Sequence, residues 1–336
     1  MISSITIAID AMGGDQGLHS TIPACIDYAS EHPSDTLLIF SSENINHQNL
    51  PSNIQVIKAN SSVLMTESAA YALRHRSDST MAGALNAVAE GRAQICLSSG
   101  NTAALMALGY HILGTYEGLR RPAICKPIPT LNKHSYMLDL GANVRADPHQ
   151  LLEFARLGSG LAKLLDDNAS PKVALLNIGT EEQKGNQLIH QANELLSECP
   201  DINYVGYIEG DSIYSGTVDV IVCDGFVGNV ALKVSEGVAK LALSQLKSSF
   251  KSSFYGRALG QFARPLLRKW RTQFDPARYN GACFLGLNGA VIKSHGSADA
   301  QSFRFAIEMA SDFAKKQTTS RLQRYFQDSQ RYFQDS

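Results

Sequence analysis

Five polar turns that contain glycine follow short apolar runs of this sequence, and their residue types are those that bind anions. Glycine lets backbone N–H groups approach an oxyanion closely, and a helix that follows such a turn adds a favourable dipole. Phosphate is the natural ligand of this arrangement. Any single turn could equally be an ordinary strand-to-helix connection, because Gly, Asn and Asp are common there. The five turns are residues 10–15, 98–102, 139–143, 177–181 and 224–229.

Two side chains close to glycine-bearing segments could act on a bound anion. Lys184 follows the 177–181 turn and could reach an anion held there, although surface pairing with Glu181 or Glu182 explains it equally well. His295 could act as an acid or a base. The motifs G-x-G-x-x-G, G-x-x-x-x-G-K-[ST] and G-x-S-x-G do not occur, so neither of the two nucleotide-binding loops nor a serine nucleophile elbow is supported.

Residues 254–275 form a basic amphipathic pattern at helical spacing, with arginines on one face and apolar side chains on the other. Such a helix could lie on an anionic membrane, bind an acidic partner protein, or pack on its own domain or across a dimer. Pro265 would kink it, so two short helices in a protruding loop fit equally well. The residues predicted to make the external contact are Arg257, Arg264, Leu266, Leu267, Arg268, Trp270 and Arg271.

The elements that must position these groups are strands alternating with helix-length segments, a pattern typical of α/β proteins. Open α/β sheets bind ligands at the carboxyl ends of their strands, so the five turns are expected to converge on one crevice. Asn288-Gly289 between apolar pairs predicts a tight hairpin, and therefore a mixed, mostly parallel sheet covered by helices. The predicted strands are residues 5–9, 37–40, 54–57, 95–98, 136–140, 173–178 and 218–223.

The composition excludes several classes of protein. The 336 residues are 44% hydrophobic, enough for a sizeable core, and the formal net charge of -1 lacks the basic excess of nucleic-acid-binding proteins. Six cysteines without a C-x-x-C pair argue against a zinc site and for reduced thiols in a cytoplasm. Neither a signal peptide nor an apolar run of about 18 residues occurs, so we expect no secretion and no spanning helix.

The domain organisation is predicted to be simple. We expect one α/β domain over residues 1–315, from which residues 250–275 protrude, because no Pro/Gly/Ser-rich linker divides the chain. The heptapeptide at residues 323–329 recurs at residues 330–336, and residues 316–336 are predicted to be a polar tail without a catalytic role.

Six motifs occur in a fixed order: Asp-Ala-Met-Gly-Gly-Asp at 10–15, Ser-Gly-Asn-Thr at 99–102, Leu-Asp-Leu-Gly-Ala-Asn-Val at 138–144, Leu-Leu-Asn-Ile-Gly at 175–179 with Lys-Gly at 184–185, Val-Cys-Asp-Gly-Phe-Val-Gly-Asn at 222–229, and Tyr-Asn-Gly-Ala at 279–282 through Ile-Lys-Ser-His-Gly at 292–296. Together they resemble the PlsX family of bacterial phosphate acyltransferases over about residues 4–315. The resemblance implies that inorganic phosphate attacks the thioester of a long-chain acyl carrier protein. The product would be acyl phosphate, which serves the acylation of glycerol 3-phosphate in phospholipid synthesis.

The same resemblance implies an isopropylmalate-dehydrogenase-like or phosphotransacetylase-like fold and a homodimer. It implies a cytoplasmic protein attached peripherally to the inner face of the cell membrane. The expected partners are acyl carrier protein, inorganic phosphate, an anionic membrane surface and a membrane glycerol-3-phosphate acyltransferase, with no nucleic acid.

In this chemistry phosphate is itself the nucleophile, so we expect no metal, no cofactor and no activated Ser or Cys. The thiol leaving group, with a pKa of about 8.5, needs little help from an acid. The site must supply placement and charge stabilisation. The predicted catalytic residues are Lys184, Asn229, Asn177 and His295, of which Lys184 and Asn229 would neutralise the phosphate and the tetrahedral oxyanion. The predicted binding residues are Asp10, Gly13, Gly14, Asp15, Ser99, Gly100, Asn101, Thr102, Asp139, Gly141, Asn143, Gly179, Asp224, Gly225 and Gly228.

Two other functions use the same features. A phosphotransacetylase or phosphotransbutyrylase acting on short acyl-CoA would need the same anion site, but its water-soluble product needs no amphipathic segment. A membrane-bound scaffold for lipid enzymes would keep that segment and lack turnover. Loss of acyl carrier protein thioester that depends on phosphate separates an enzyme from a scaffold.

Changing Leu266, Leu267 and Trp270 together to Ser is expected to abolish sedimentation with anionic liposomes while activity on soluble acyl carrier protein is kept. These side chains would bury in the interface while the arginines meet anionic headgroups, each contributing about 1 kcal/mol. A variant that still sediments with liposomes but no longer elutes as a dimer would place the apolar face in a subunit interface instead.

Overall fold

The computed structural model describes residues 2–46, 49–251 and 280–334. The strands in these ranges are β1 (Thr6–Asp10), β2 (Thr36–Ser41), β3 (Ile54–Lys58), β4 (Ile95–Ser98), β5 (Ala123–Pro129), β6 (His134–Leu138), β7 (Lys172–Asn177), β8 (Asn203–Glu209), β9 (Val220–Val222), β10 (Ala282–Leu285) and β11 (Ala290–Lys293). The helices are α1 (Leu18–Glu31), α2 (Ala69–His75), α3 (Thr80–Ala89), α4 (Thr102–Leu113), α5 (Pro148–Leu165), α6 (Gln187–Ser197), α7 (Gly225–Lys251), α8 (Ala300–Lys315) and α9 (Thr318–Gln334).

The described strands form one sheet in the order β3-β2-β1-β4-β11-β10-β5-β6-β9-β7-β8. Helices cover both faces of it. One face packs against α1, α5, α6, α8 and α9, and the other packs against α3, α4 and the start of α7. The predicted class, a mixed and mostly parallel sheet covered by helices, is confirmed, and each of the seven predicted strands is present.

The predicted hairpin is present, but its connection is longer than a two-residue turn. Strands β10 and β11 pair antiparallel, with Cys283 opposite Ile292, and residues 286–289 connect them. Gly286 has a φ of +93°, a conformation that favours glycine. Asn288-Gly289 therefore lies in the connection as predicted, although it does not form the whole of it.

Two strands were not predicted from the sequence. Strand β5 contains Pro127 and Pro129, which lack the N–H that a ladder requires. The structure tolerates them because β10 pairs only with residues 123–125 of β5, so both prolines lie beyond the end of the ladder between β5 and β10. Strand β8 contains Gly206 with a φ of +89°, and its register with β7 shifts between Val173 and Leu175, which breaks the alternation that marks a strand.

The antiparallel strands bring the carboxyl ends of oppositely directed strands to the middle of the sheet. One register row runs through Leu97, Ile292, Cys283, Cys125, Leu138 and Val222. This row contains the last residues of β6 and β9 and passes one residue before the ends of β4 and β11. The turns that follow these four strands therefore start at a similar height, although β6 and β9 run opposite to β4.

Within the stretch expected to be a polar tail, residues 318–334 form helix α9. Leu322 and Phe326 are buried, and the Phe326 ring lies 6.2 Å from that of Tyr116. The Tyr325 hydroxyl accepts a hydrogen bond from Lys163 of α5 at 3.0 Å. The first copy of the repeated heptapeptide is thus packed on α5, because its aromatic residues fall on the inner face of an amphipathic helix.

The amphipathic segment, residues 254–275, lies outside the described residues, so its predicted contacts stay predictions. Within the part of the chain that the structure describes, no helix is both long and apolar enough to cross a membrane.

A buried carboxylate fastens α8 to the start of the sheet. Asp35 is fully buried, and its Oδ2 accepts hydrogen bonds from the Tyr28 hydroxyl at 2.6 Å and from Lys315 Nζ at 2.7 Å. Its Oδ1 accepts the backbone N–H of Ile5 at 3.2 Å. Burial alone would raise the pKa of Asp35, but these bonds and the Lys315 charge outweigh it and lower the pKa.

Lys315→Met is expected to lower the free energy of unfolding at pH 7 by about 2 to 3 kcal/mol. Breaking a buried pair costs about 3 to 5 kcal/mol, and the Lys315 side chain is 25% exposed, which reduces the effect. In wild type the lowered pKa of Asp35 adds to the free energy of unfolding above the unfolded-state pKa of about 3.9. This contribution is lost as pH falls through the pKa of the folded state. In the variant burial raises the pKa of Asp35, so the penalty shrinks as pH falls from 7 towards 4. Urea titrations at several pH values measure this, with Lys58→Met as the exposed control; a difference independent of pH would contradict it.

Candidate active site

A cavity of about 490 Å³ lies between the N-terminus of α4, the first turns of α7 and the end of β11. Thr102 and Ala103, the first two residues of α4, line it, so the positive end of that helix dipole faces the cavity. Asn101 caps this helix by accepting the Ala104 N–H at 3.1 Å. Its amide donates to the carbonyl oxygens of Met65 and Glu67 at 3.0 and 2.7 Å, which holds residues 65–67 against the start of α4, and Met65 lines the cavity.

Lys293, the last residue of β11, places an ammonium group in the wall of the cavity. The residue is only 9% exposed. Its Nζ donates to the carbonyl oxygens of Ser99, at 3.1 Å, and of Ser294, so within the described chain one N–H is left for a ligand. No carboxylate of the described residues lies within 4.0 Å of Nζ. Burial lowers the pKa of Lys293 to about 8, with the charge of Asp10 acting in the opposite direction.

Two more lysines and one glutamate line the same cavity. Lys126 lies on β5, and Lys233 and Glu236 lie on α7. Glu236 Oε2 accepts a hydrogen bond from Lys233 Nζ at 3.0 Å. Burial lowers the pKa of Lys126, and Lys233 lowers it further, whereas Glu236 raises it. The cavity thus combines three lysines with few carboxylates, a charge balance that favours a small anion.

His295 presents a neutral ring with a defined tautomer. The backbone N–H of Ser297 donates to Nδ1 at 3.2 Å, so the ring proton is assigned to Nε2, which faces Glu236 Oε2 at 4.0 Å. Burial and the Lys233 charge lower the pKa of His295, which keeps the ring neutral near pH 7. Asn280 fixes the segment, because its Oδ1 accepts the His295 backbone N–H at 2.7 Å and its amide donates to Ser294 and Ser302.

Below the cavity wall, the turns after β1 and β4 pack backbone against backbone. Asp10 is buried and accepts a hydrogen bond from the Ser98 hydroxyl at 2.7 Å, and Ser98 Oγ in turn accepts the Gly100 N–H at 3.0 Å. A Cβ on Gly13 would lie 2.5 Å from the Gly100 nitrogen, so no other residue fits there. Gly14 has a φ of +80° and the same constraint against Gly296. Asp10 therefore orients the turn that supports Lys293 and does not itself face the cavity.

Asp139 is a second structural carboxylate. It accepts backbone N–H groups from Ile124, Gly141, Ala142 and Asn143, at distances between 2.6 and 3.2 Å. Burial raises its pKa, against the lowering effect of these bonds. With its oxygens occupied, Asp139 fixes the turn after β6 and has no place for a phosphate.

The turn after β9 is equally well defined. The Asp224 side chain caps α7 by accepting the Val227 N–H at 2.8 Å, and the Gly225 N–H donates to the Asn143 carbonyl at 2.9 Å. A Cβ on Gly228 would collide with the Asp139 carbonyl oxygen. These residues orient the first turn of α7, which carries Asn229 into the cavity.

Four of the five predicted turns contribute to this cavity. Asp15, Thr102, Gly141, Asn229 and His295 line it. Of the other predicted residues, Asp10, Gly13, Gly14, Ser99, Gly100 and Asn101 form the layer below it, and Asp139, Asn143, Asp224, Gly225 and Gly228 fix the turns at its side.

The 177–181 turn does not join the others. Asn177 donates its amide to the carbonyl oxygens of Gly179 and Lys184 at 3.1 and 3.0 Å, so it closes its own loop. Lys184 is exposed, and none of the three is among the residues found to line the cavity. The register explains this, because Leu175 pairs with Val222 and β7 continues two residues further. Their catalytic and binding roles stay predictions.

Four functional candidates were not selected from the sequence as site residues: Lys293, Lys126, Lys233 and Glu236. Lys293 lies two residues before His295 and within the motif at 292–296, and both facts could have marked it as a candidate. Lys126 lies on β5, which was not predicted as a strand because it contains two prolines. Glu236 lies three turns after the start of α7.

The fold defines the class of protein first. A phosphotransacetylase from Streptococcus pyogenes has a TM-score of 0.61 at 15% identity and covers 94% of this chain and 93% of its own. A branched-chain phosphotransacylase from Enterococcus faecalis has a TM-score of 0.54 at 17% identity, with 93% and 99% covered. These likenesses establish a shared phosphotransacetylase-like fold.

The family follows from closer relatives. The family model described as "Fatty acid synthesis protein" matches residues 5–321. A phosphate acyltransferase of Legionella pneumophila is 47% identical over 316 residues, 92% of each chain, and one of Ectopseudomonas mendocina is 44% identical over 334 residues, 97% of this chain and 99% of its own. The chain belongs to this family of phosphate acyltransferases, and the resemblance seen in the sequence is confirmed.

Binding of sulfate, which stays a dianion from pH 6 to 9, is expected to weaken as pH rises through about 8, because Lys293 then loses its proton. Lys293→Arg should remove this dependence, since the guanidinium stays charged. Calorimetric titration with sulfate measures it. Lys126→Arg is the matched control and should keep the wild-type profile; if it flattened the profile and Lys293→Arg did not, Lys126 would be the titrating group.

Proposed function

We propose that the chain transfers a long-chain acyl group from acyl carrier protein to inorganic phosphate and releases acyl phosphate. The observation that carries this proposal is the buried ammonium of Lys293, which has carbonyl partners but no carboxylate within 4.0 Å in the described chain. An anion is the natural partner for such a group. The type of reaction is inferred from the family to which the chain belongs, and the cavity is the proposed site of that reaction.

In the proposed step an oxygen of phosphate attacks the thioester carbon, and the carbonyl oxygen becomes an oxyanion. The C–S bond then breaks, the electron pair leaves with sulfur, and the thiolate takes a proton from the site or from solvent. Lys293, Lys126 and Lys233 would hold the phosphate dianion, and the N-terminus of α4 would add its dipole. The Nε2–H of His295 and the amide of Asn229 would donate to the oxyanion.

The cavity also has an apolar side that suits the first carbons of an acyl chain. Met65, Ile124, Leu140 and Leu232 line it next to the cationic wall. A thioester carbonyl placed between the two sides would face phosphate on one side and bury its chain on the other. This arrangement supports acyl transfer to phosphate rather than binding of an anion alone.

The wider assignments follow from the family resemblance. We propose that the chain acts as a homodimer, that residues 254–275 attach it to an anionic membrane surface at the inner face of the cell membrane, and that a membrane glycerol-3-phosphate acyltransferase consumes the product. Acyl phosphate is an anhydride with a long apolar chain, so release at a bilayer would limit its hydrolysis.

Purified protein is expected to release thiol from long-chain acyl carrier protein only when phosphate is present, and Lys293→Met should lower this turnover by roughly 10²- to 10³-fold, the loss seen for one preorganised donor. Lys184→Ala, for which the sequence argument gives the same loss, is measured beside it. A thiol-release assay with acetyl-CoA as the rival substrate gives the comparison. Loss in Lys184→Ala with full activity in Lys293→Met would move the phosphate site to the 179–184 loop.

A further inference from the structure

One carboxylate stands among the lysines of the cavity. Glu236 Oε2 lies 3.0 Å from Lys233 Nζ and 4.0 Å from His295 Nε2, and its side chain is 20% exposed. The other carboxylate that lines the cavity, Asp15, is exposed, and its backbone N–H donates to the carbonyl oxygen of Gly296. No lysine of the described residues lies within 4.0 Å of it. Glu236 is therefore the acid that contacts a lysine to which a bound anion would also bind.

Basic side chains from three elements face Glu236. Lys126 approaches from β5, Lys233 from its own helix α7, and His295 from the segment after β11. Burial by itself would raise the pKa of Glu236, but the hydrogen bond from Lys233 and the charges of Lys233 and Lys126 lower it. Lys293 adds a further positive charge in the same cavity. Glu236 is thus ionised at neutral pH and pairs with Lys233 in the absence of a ligand.

A phosphate dianion that enters the cavity meets this carboxylate in two ways. It is repelled by the negative charge, which weakens its binding. It also competes with Glu236 for the Lys233 ammonium, because Lys233 must break its ion pair with Glu236 before it can pair with phosphate. Both effects act on affinity for the anion and leave the attacking geometry intact.

We propose that Glu236 is an internal counter-ion that sets the affinity of the cavity for phosphate and for the acyl phosphate product. It occupies Lys233 when the site is empty and yields it when an anion binds. This rests on the proposed function of the cavity. The benefit is product release, because acyl phosphate carries the same anionic group as the substrate and a site without a counter-ion would retain it.

The test is Glu236→Gln, which keeps an oxygen that accepts from Lys233 and removes the charge. The KM for phosphate is expected to fall roughly threefold to tenfold, as one charge in a half-buried site allows, while kcat stays equal or falls because release is slower. Calorimetric titration of the protein with inorganic phosphate alone should show the same tightening. Glu198→Gln, an exposed glutamate outside the cavity, is the matched control and should match wild type.

A double-variant cycle shows whether Glu236 acts through Lys233. Lys233→Met alone should raise the KM for phosphate, and adding Glu236→Gln to it should then change KM by less than in wild type. A higher KM and weaker phosphate binding in Glu236→Gln would make Glu236 a positioning residue and overturn the proposal. So would unchanged KM and binding. Wild type that releases no thiol in a phosphate-dependent way would instead defeat the proposed function, whatever the titrations of phosphate show.

Discussion

The arrangement of the site depends on a buried ammonium group held by carbonyl oxygens alone among the described residues. Taking Lys293 out of water costs free energy, and the two hydrogen bonds to Ser99 and Ser294 recover only part of it. The remaining N–H faces a cavity that a helix N-terminus and two more lysines also line. Such a group is stable and charged only if its surroundings are fixed, and the packed turns beneath it provide that rigidity.

Those turns give the buried acids Asp10 and Asp139 a structural role. Asp10 accepts a hydrogen bond from Ser98, which in turn orients Gly100. Asp139 accepts three backbone N–H groups of its own turn and the backbone N–H of Ile124 on β5. A carboxylate in contact with phosphate would repel it, so these acids serve the site by shaping backbone instead. The close approach of Gly13 to Gly100 lets the two turns meet without a side chain between them.

Much of the fold could be predicted from the sequence, because buried strands read as apolar runs and the glycine turns mark their ends. The convergence of the turns was predicted for a different reason from the one that applies. It assumed parallel strands, whereas the 139–143 and 224–229 turns reach the cavity because β5 and β10 reverse the direction of half the sheet. The 177–181 turn does not join them, because β7 continues two residues beyond the row in which β6 and β9 end. Lys126 and Glu236 could not be found, since only the tertiary structure brings β5 and α7 to the cavity that the end of β11 lines.

The most direct test of this account is a crystal structure of the protein soaked with inorganic phosphate at a concentration that saturates turnover. We predict that phosphate lies in the cavity, with oxygens within hydrogen-bond distance of Lys293 Nζ and Lys233 Nζ and close to the first turn of α4. Phosphate bound instead at the 179–184 loop, with the cavity holding none, would contradict it.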